Sequence, residues 1–421
     1  MRNNSVDRSL RERAQAVIPN GMYGHQSVAL LPDGYPQFFS RAKGAYLWDA
    51  DGSQYIDYLC GYGPNLFGYG HEAITKAFLD QLQEGDAMTG PGPAMVAAAE
   101  AMTRQISHAD WVMFCKNGTD ATTMALMIAR SHTRKSTVIR ARGAYHGAAP
   151  WCTPVANGTT ASDHANQIFC DYNDPDSLAA AVKQAGNDLA AIFAAPIKHD
   201  TFVDQAPLDP EYARRARAQA DEHGALLIVD DVRGGFRLAR DCSWSLVGVE
   251  PDLSAWGKAI ANGHPLSALV GSEPFRAAAG SIYATGSYWF AAAPMAAAVA
   301  TLSLIRDSDY LERTIALGDR LRKGLDAAAA QYGFRLRQTG PSQMPLILFD
   351  EDPQLARTYL WNSALIQRGV YFHPWHNMFI CAAMTELDID NTLDRAGEAF
   401  ALTQKAGKIE PAEQLRPLLK A

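Results

Sequence analysis

Long apolar runs are missing from this chain of 421 residues. No stretch approaches the ~20 consecutive apolar residues that a bilayer span needs. The longest candidate, 290–302, is mostly alanine and is interrupted by Pro294. Basic excess is missing too: 38 Lys and Arg against 45 Asp and Glu leave a net charge of −7. That balance argues against nucleic acid or an anionic membrane as partner, although a small anionic cofactor needs only local donors. Cysteines are few. The six of them, at 60, 115, 152, 170, 242 and 381, show neither metal-ligand nor disulfide-framework spacing. No metal site is expected, and reduced thiols fit a cytoplasmic protein. The first residues, Met1 to Arg8, have mixed charge and no apolar core, so no secretory leader is expected there. Repeats and low-complexity segments are also absent. What is present is 48% hydrophobic and 20% charged, the balance of a soluble globular protein with more than one ordinary domain.

Hydrophobic patterning gives the organisation. A charged amphipathic helix at 9–17 precedes a hairpin turned by Asp51-Gly52 and a glycine-rich loop from Gly61 to His71. A helix is expected at 72–84. From Pro93 onward helix and strand alternate, with helices at 93–106 and 119–131 and strands at 111–115, 136–140, 167–170, 189–195, 225–229 and 266–271. Such alternation implies a mainly parallel sheet with helices on both faces. Helices at 291–305 and 310–332 follow, then a smaller α+β unit with strands near 334–338, 344–349 and 379–382.

The chain is organised around one of these strands. Ala225 to Val229 is an apolar run bounded by Gly224 before it and by Asp230 and Asp231 after it. It reads as a buried parallel strand that delivers two acids to the carboxyl edge of the sheet, where ligands of open α/β sheets bind. Lys258 follows between two glycine-containing turns. Taken singly, an Asp-Asp pair is a turn or helix cap and a lysine is a solvated surface group. Taken together, a strand-end acid and a sheltered lysine are what pyridoxal phosphate (PLP) needs: a Schiff-base amine and an acid at its pyridinium nitrogen. Two further elements join them. Cys115 to Thr123 links a strand to a helix through Gly118, and exposed amides at a helix start attract phosphate. An ordinary turn capped by Asn117 or Thr119 would look the same. Arg142 to Gly147 places Tyr145 near glycines that let the backbone approach a ligand ring, although an aromatic in the core is the commoner case.

With these motifs the chain resembles the class III (omega) aminotransferases of PLP fold type I, from about residue 11 to about residue 405. The branch it resembles holds glutamate-1-semialdehyde aminomutase and the amine:pyruvate transaminases. The resemblance implies an α/β fold with a mainly parallel seven-stranded sheet, helices on both faces and a smaller α+β domain. It implies an N-terminal segment (1–60) belonging to that small domain, a large PLP-binding domain (61–308) and a C-terminal small domain (309–421). Residues 117–121 resemble the family's Ser-Gly-Thr-Glu-Ala phosphate cup, with Gly118 and Thr119 as phosphate ligands. Tyr145 takes the place of the stacking aromatic in Tyr-His-Gly. Asp230 matches the first acid of Asp-Glu-Val, with Val232 on the opposite ring face and Asp231 where glutamate is usual. Lys258 matches the Schiff-base lysine, which also carries the proton. Ser287, or alternatively Thr285, stands where a hydroxyl reaches the phosphate of the neighbouring subunit, which implies a homodimer with shared active sites.

The substrate signal lies in what departs from the aminomutases. The loop 20–28 has no arginine, Ala195 to Asp200 replaces Glu-Pro-Val, and Phe379 to Met384 lacks a glutamate. Aromatics are frequent instead: Tyr23, Tyr62, Tyr288, Trp289 and Trp375. A pocket rich in aromatics suits an amine with a long or bulky apolar arm, and the details look similar to the transaminases of hydrolysed fumonisin. Arg233 and His25 are candidates for the keto-acid carboxylate. The expected reaction is ping-pong amino transfer from an amine donor to a keto acid such as pyruvate, by way of pyridoxamine phosphate. A 2,1-aminomutase, a racemase or decarboxylase, and a PLP-binding module without activity are the alternatives.

Overall fold

The computed structural model describes residues 3–198, 203–407, 409–410 and 413–415. The chain forms two compact units: Glu72–Leu311, and Met1–His71 together with Glu312–Ala421.

The 72–311 unit is built on one seven-stranded sheet. In chain order its strands are β1 (Trp111–Cys115), β2 (Thr137–Ala141), β3 (Gln167–Cys170), β4 (Leu189–Ala194), β5 (Leu226–Asp230), β6 (Leu253–Trp256) and β7 (Ser267–Gly271). Their spatial order is β1-β7-β6-β5-β4-β2-β3. Neighbours run parallel except β7, which is antiparallel to both β6 and β1. The central strands β4 and β5 are buried along their whole length, which is why they read as unbroken apolar runs and not as alternating ones. β6 was not legible in advance, because its Leu-Ser-Ala-Trp carries a buried polar group. Ser254 accepts from the Trp256 indole at 2.7 Å and meets His108 Nε2 at 2.9 Å, so the polar group costs little where it sits. The helix Gly118–Thr133 packs on the sheet through Ala121, Met124, Ala125 and Ile128. The alanine-rich helix runs over Ala292–Asp307. Asp86 caps its start, accepting the amide of Ala293 at 2.8 Å.

In the other unit a four-stranded sheet is ordered Phe39–Lys43, Tyr46–Asp49, Gln54–Asp57, Val370–Tyr371. The expected hairpin at Asp51-Gly52 joins its second and third strands. The first helix starts at Ser5, earlier than its pattern suggests, because Asp51 accepts the amides of Val6 and Asp7, both at 2.9 Å. One expected strand does not form. Residues 379–382 are apolar, with 379–381 buried and Ala382 half-buried, but their amides go to separate segments: Phe379 to Tyr58, Ile380 to Gln343, Ala382 to Leu66. Without one continuous partner there is no ladder. The parallel partner of Gln54–Asp57 is Val370–Tyr371 instead. Two helices that the pattern had not marked, Ala356–Gln367 and Glu386–Lys405, complete the unit.

Candidate active site

Asp230 ends β5 and is almost buried, at 8% exposure. Its Oδ1 accepts the amide of Val232 at 3.1 Å, a turn that fixes the chain direction just past the strand. Its Oδ2 meets Nδ1 of His146 at 2.9 Å. His146 is buried, and its carbonyl accepts from the hydroxyl of Thr122 at 2.7 Å. A histidine from the segment after β2 thus braces the acid of β5, and a threonine of the helix that precedes β2 holds that histidine. His146 and Thr122 were missed in the sequence. The histidine lies inside the same Tyr-His-Gly element as Tyr145, and the signal available was that a buried carboxylate needs a donor.

The start of the helix Gly118–Thr133 lies beside this acid. A Cβ on Gly118 would come within 2.8 and 2.9 Å of the two methyls of Val232. The Thr119 hydroxyl accepts the amide of Ala148 at 3.1 Å. Gly147, at φ +128°, leaves the space in which a Cβ would strike that hydroxyl. Asp120 turns back to accept the Asn117 amide at 2.9 Å, so it caps the helix and leaves the first amides for an anion. Gly118, Thr119, Val232 and Asp230 are therefore brought together.

Lys258 follows β6 in a left-handed backbone conformation, φ 45°, which a non-glycine residue adopts at a cost of about 1–3 kcal/mol. It keeps partial access to solvent. Burial of the amine, with Arg233 beside it, nevertheless draws its pKa down to about 7, against the opposing pull of Asp230 and with a further push from Arg237. Arg233 is itself lowered to about 10 by burial, with Asp230 and Tyr145 acting the other way. Tyr145 is 39% exposed, and its phenol is raised by burial. Asp231 points away from these groups. It is buried, accepts the amide and hydroxyl of Ser243 at 2.8 and 2.6 Å, and is raised to about 6 by burial. Its role is to anchor the chain that follows Val232.

The remaining candidates are less gathered. Thr285, Ser287 and Tyr288 are exposed on the surface of the 72–311 unit, while Trp289 leans on its core. Tyr23, Tyr62, His25 and Trp375 belong to the other unit. There the Tyr62 hydroxyl donates to the His25 carbonyl and the two rings meet edge-on at 4.5 Å, while Tyr23 is 67% exposed. The Trp375 indole donates to Tyr359 at 2.9 Å. Of the segment that stands in place of Glu-Pro-Val, His199 and Asp200 lie outside the described residues.

These residues fit a PLP cofactor. A buried, braced carboxylate, a helix start cleared by glycine and a lysine whose pKa burial lowers supply its three requirements. The mainly parallel sheet with one reversed strand is the architecture of the type I PLP-dependent transferases. Within that fold the chain belongs to the class-III aminotransferase family, whose model matches residues 31–399. It is 52% identical over 422 residues to an aminopentol aminotransferase of Sphingopyxis macrogoltabida, covering 100% of both chains. It is 31% identical over 420 residues to a glutamate-1-semialdehyde 2,1-aminomutase of Thermus thermophilus, covering 92% of this chain and 97% of the relative. The solved structure of the PLP internal aldimine form of a Sphingopyxis FumI protein matches with TM-score 0.96 and 52% identity, over 99% of this chain and 100% of that one. Among the described residues no helix is long and apolar enough to cross a membrane.

Proposed function

We propose that this aminotransferase uses PLP to move the amino group of a primary amine with a long or bulky arm to a keto acid such as pyruvate. The chemistry rests above all on one observation: Asp230, closing β5, is buried and braced by His146 Nδ1 at 2.9 Å beside a helix start that Gly118 clears, and burial shifts Lys258 toward its neutral form. The donor class rests on full-length similarity to an enzyme named for an aminopentol, an amine that carries hydroxyl groups.

When bound, PLP supplies the electron sink that allows the amine-bearing carbon to lose its proton. The protein does the rest. Asp230, negative and braced by His146, keeps a proton on the ring nitrogen, since a neighbouring opposite charge favours the charged form. Lys258 holds the cofactor, and once released its neutral amine takes the proton from the substrate carbon and returns it nearby. Gly118 and Thr119 hold the phosphate, while Tyr145 and Val232 flank the ring. Tyr23, Tyr62, Tyr288 and Trp289 serve the apolar arm, and Arg233 the acceptor carboxylate. Ser287 or Thr285 would complete a neighbouring subunit's phosphate site, so the working form is a cytoplasmic homodimer.

The test is a half-reaction. Adding 2-aminoalkanes to the PLP-loaded enzyme should bleach the absorbance of the bound cofactor, and pyruvate should restore it. An enzyme inert to amines that isomerises glutamate 1-semialdehyde without an acceptor would be an aminomutase, and the reading would be lost.

A further inference from the structure

Strand β6 turns its side chains alternately to the two faces of the sheet. Leu253 and Ala255 enter the core under the helix Gly118–Thr133, so Ser254 and Trp256 face the other way. Both are buried. The Trp256 indole donates to Ser254 Oγ at 2.7 Å, and the same oxygen lies 2.9 Å from His108 Nε2. An indole can only donate. Among the described residues Ser254 Oγ meets no third group, so its own hydrogen is bonded only if it goes to His108 Nε2. That fixes His108 as the neutral tautomer with its proton on Nδ1. Burial draws the ring's pKa down to about 4 against the pull of Asp241 and Asp110, in keeping with a neutral ring. Nδ1 is enclosed and has no hydrogen-bond partner among the described residues, so the bond to Ser254 is what orients the ring.

The other end of this chain lies against the turn that follows β5. A Cβ on Gly235 would stand 2.6 Å from Trp256 Cζ3, so the glycine is there for close approach. Phe236 packs its ring on the indole at 4.5 Å and holds a left-handed backbone, φ 59°. Gly257 then leads straight from Trp256 into Lys258, which is left-handed as well, at φ 45°. Two strained non-glycine residues thus flank one indole, and such strain persists only where the surroundings over-determine it. The His108 segment holds the far end of the turn too. The Ser107 amide donates to Asp241 at 3.0 Å, and Gln105 Nε2 to the Arg240 carbonyl at 2.6 Å.

We infer that His108, Ser254 and Trp256 are positioning residues for the reaction: one hydrogen-bonded chain that sets the Trp256 indole and, through it, both Lys258 and the turn bearing Val232 and Arg233. They act through the indole and not by touching the cofactor. The inference rests on Lys258 being the cofactor-bearing residue of an aminotransferase, and it adds how that lysine is placed from the sheet face away from the helix Gly118–Thr133.

The PLP-loaded enzyme is compared as wild type, Ser254→Ala, His108→Leu, His108→Gln and the double variant Ser254→Ala/His108→Leu. Two signals are read: the visible circular dichroism of bound PLP, which follows the orientation of its ring, and kcat and KM for 2-aminobutane with pyruvate. Ser254→Ala and His108→Leu should each change the dichroic band and lower kcat about tenfold, a loss of placement. KM should move less than about threefold. Glutamine offers an acceptor oxygen near the place of Nε2, so His108→Gln should keep the band and most of kcat. The double variant should be no worse than either single one, because the chain is broken only once. A role confined to stability would lower Tm and leave the band and kcat at wild-type values below the melt, and that result would overturn the inference. So would a His108→Gln enzyme as impaired as His108→Leu, or additive losses in the double variant. Should Ser254→Ala or His108→Leu fail to fold, His108→Asn, polar but too short to reach the hydroxyl, takes their place against His108→Gln. A holoenzyme that turns over no amine defeats the aminotransferase reading alone, since the dichroism still reports on the chain.

Discussion

Gly118→Ala probes how the helix start and the turn after β5 share space. Gly118 does not occupy the left-handed region, so alanine brings no backbone strain and the change is purely steric. Its Cβ would stand 2.8 and 2.9 Å from Val232 Cγ1 and Cγ2, well inside contact distance, and one side must yield. The Val232 turn is pinned by its bond to Asp230 Oδ1 at 3.1 Å and by the Gly235 amide on the Asp231 carbonyl at 2.8 Å. Overpacking of this kind costs about 1–3 kcal/mol. If the Val232 side chain turns away freely, the cost falls on the bound state, because Val232, proposed to flank the cofactor ring, would then enter its space. At 1.4 kcal/mol per tenfold, the apparent Kd for PLP should rise roughly 5- to 150-fold. Any part that falls on folding lowers Tm by about 2–4 °C per kcal/mol in a domain of this size. Titrating the apo-enzyme with PLP by absorbance, and melting apo and holo forms, measures both parts. Gly118→Ala/Val232→Ala removes the colliding methyls and should recover most of the loss, a coupling that a double-mutant cycle reads directly. Wild-type affinity and Tm in Gly118→Ala would refute the steric argument. So would a loss that Val232→Ala leaves untouched.

Lys258→Ala should leave no borohydride-reducible PLP and no steady-state turnover; covalent cofactor recovered from that variant would remove Lys258 from its role. Asp230→Asn keeps the shape of the acid but not its charge, and should lower kcat by a factor of order 10² or more, measured by single-turnover absorbance. His146→Gln should slow the enzyme less. In the Asp230→Asn background it should cost almost nothing further, because the histidine acts through the acid; additive losses would give it a separate function. The neutral form of Lys258 is the nucleophile, and its pKa is lowered from 10.5 to about 7. The rate at which apo-enzyme captures PLP should therefore climb with pH and level off above about 7. A rate still climbing toward 10 would mean the amine is not desolvated.

What the sequence discloses follows from how far apart the cooperating residues lie. Asp230 is legible because it sits where the apolar run of β5, buried on both faces, meets a turn, and Lys258 because it lies between two glycine-containing turns downstream of that acid. Residues 379–382 mislead for the opposite reason. They are as apolar as a strand, but their amides bond to three different segments, and burial without a ladder leaves the same composition as burial with one. His146 is hidden although it adjoins Tyr145, since its partner comes from a strand two positions away in the sheet and only the sheet order brings them to 2.9 Å. Asp231 shows the same limit from the other side. Against glutamate its shorter arm looks like a small change, yet the carboxylate is enclosed and held by both donors of Ser243 at 2.8 and 2.6 Å. An added methylene there has no open space to enter, so the shorter acid and the serine that receives it are one adaptation, placed on the turn that carries Val232 and Arg233.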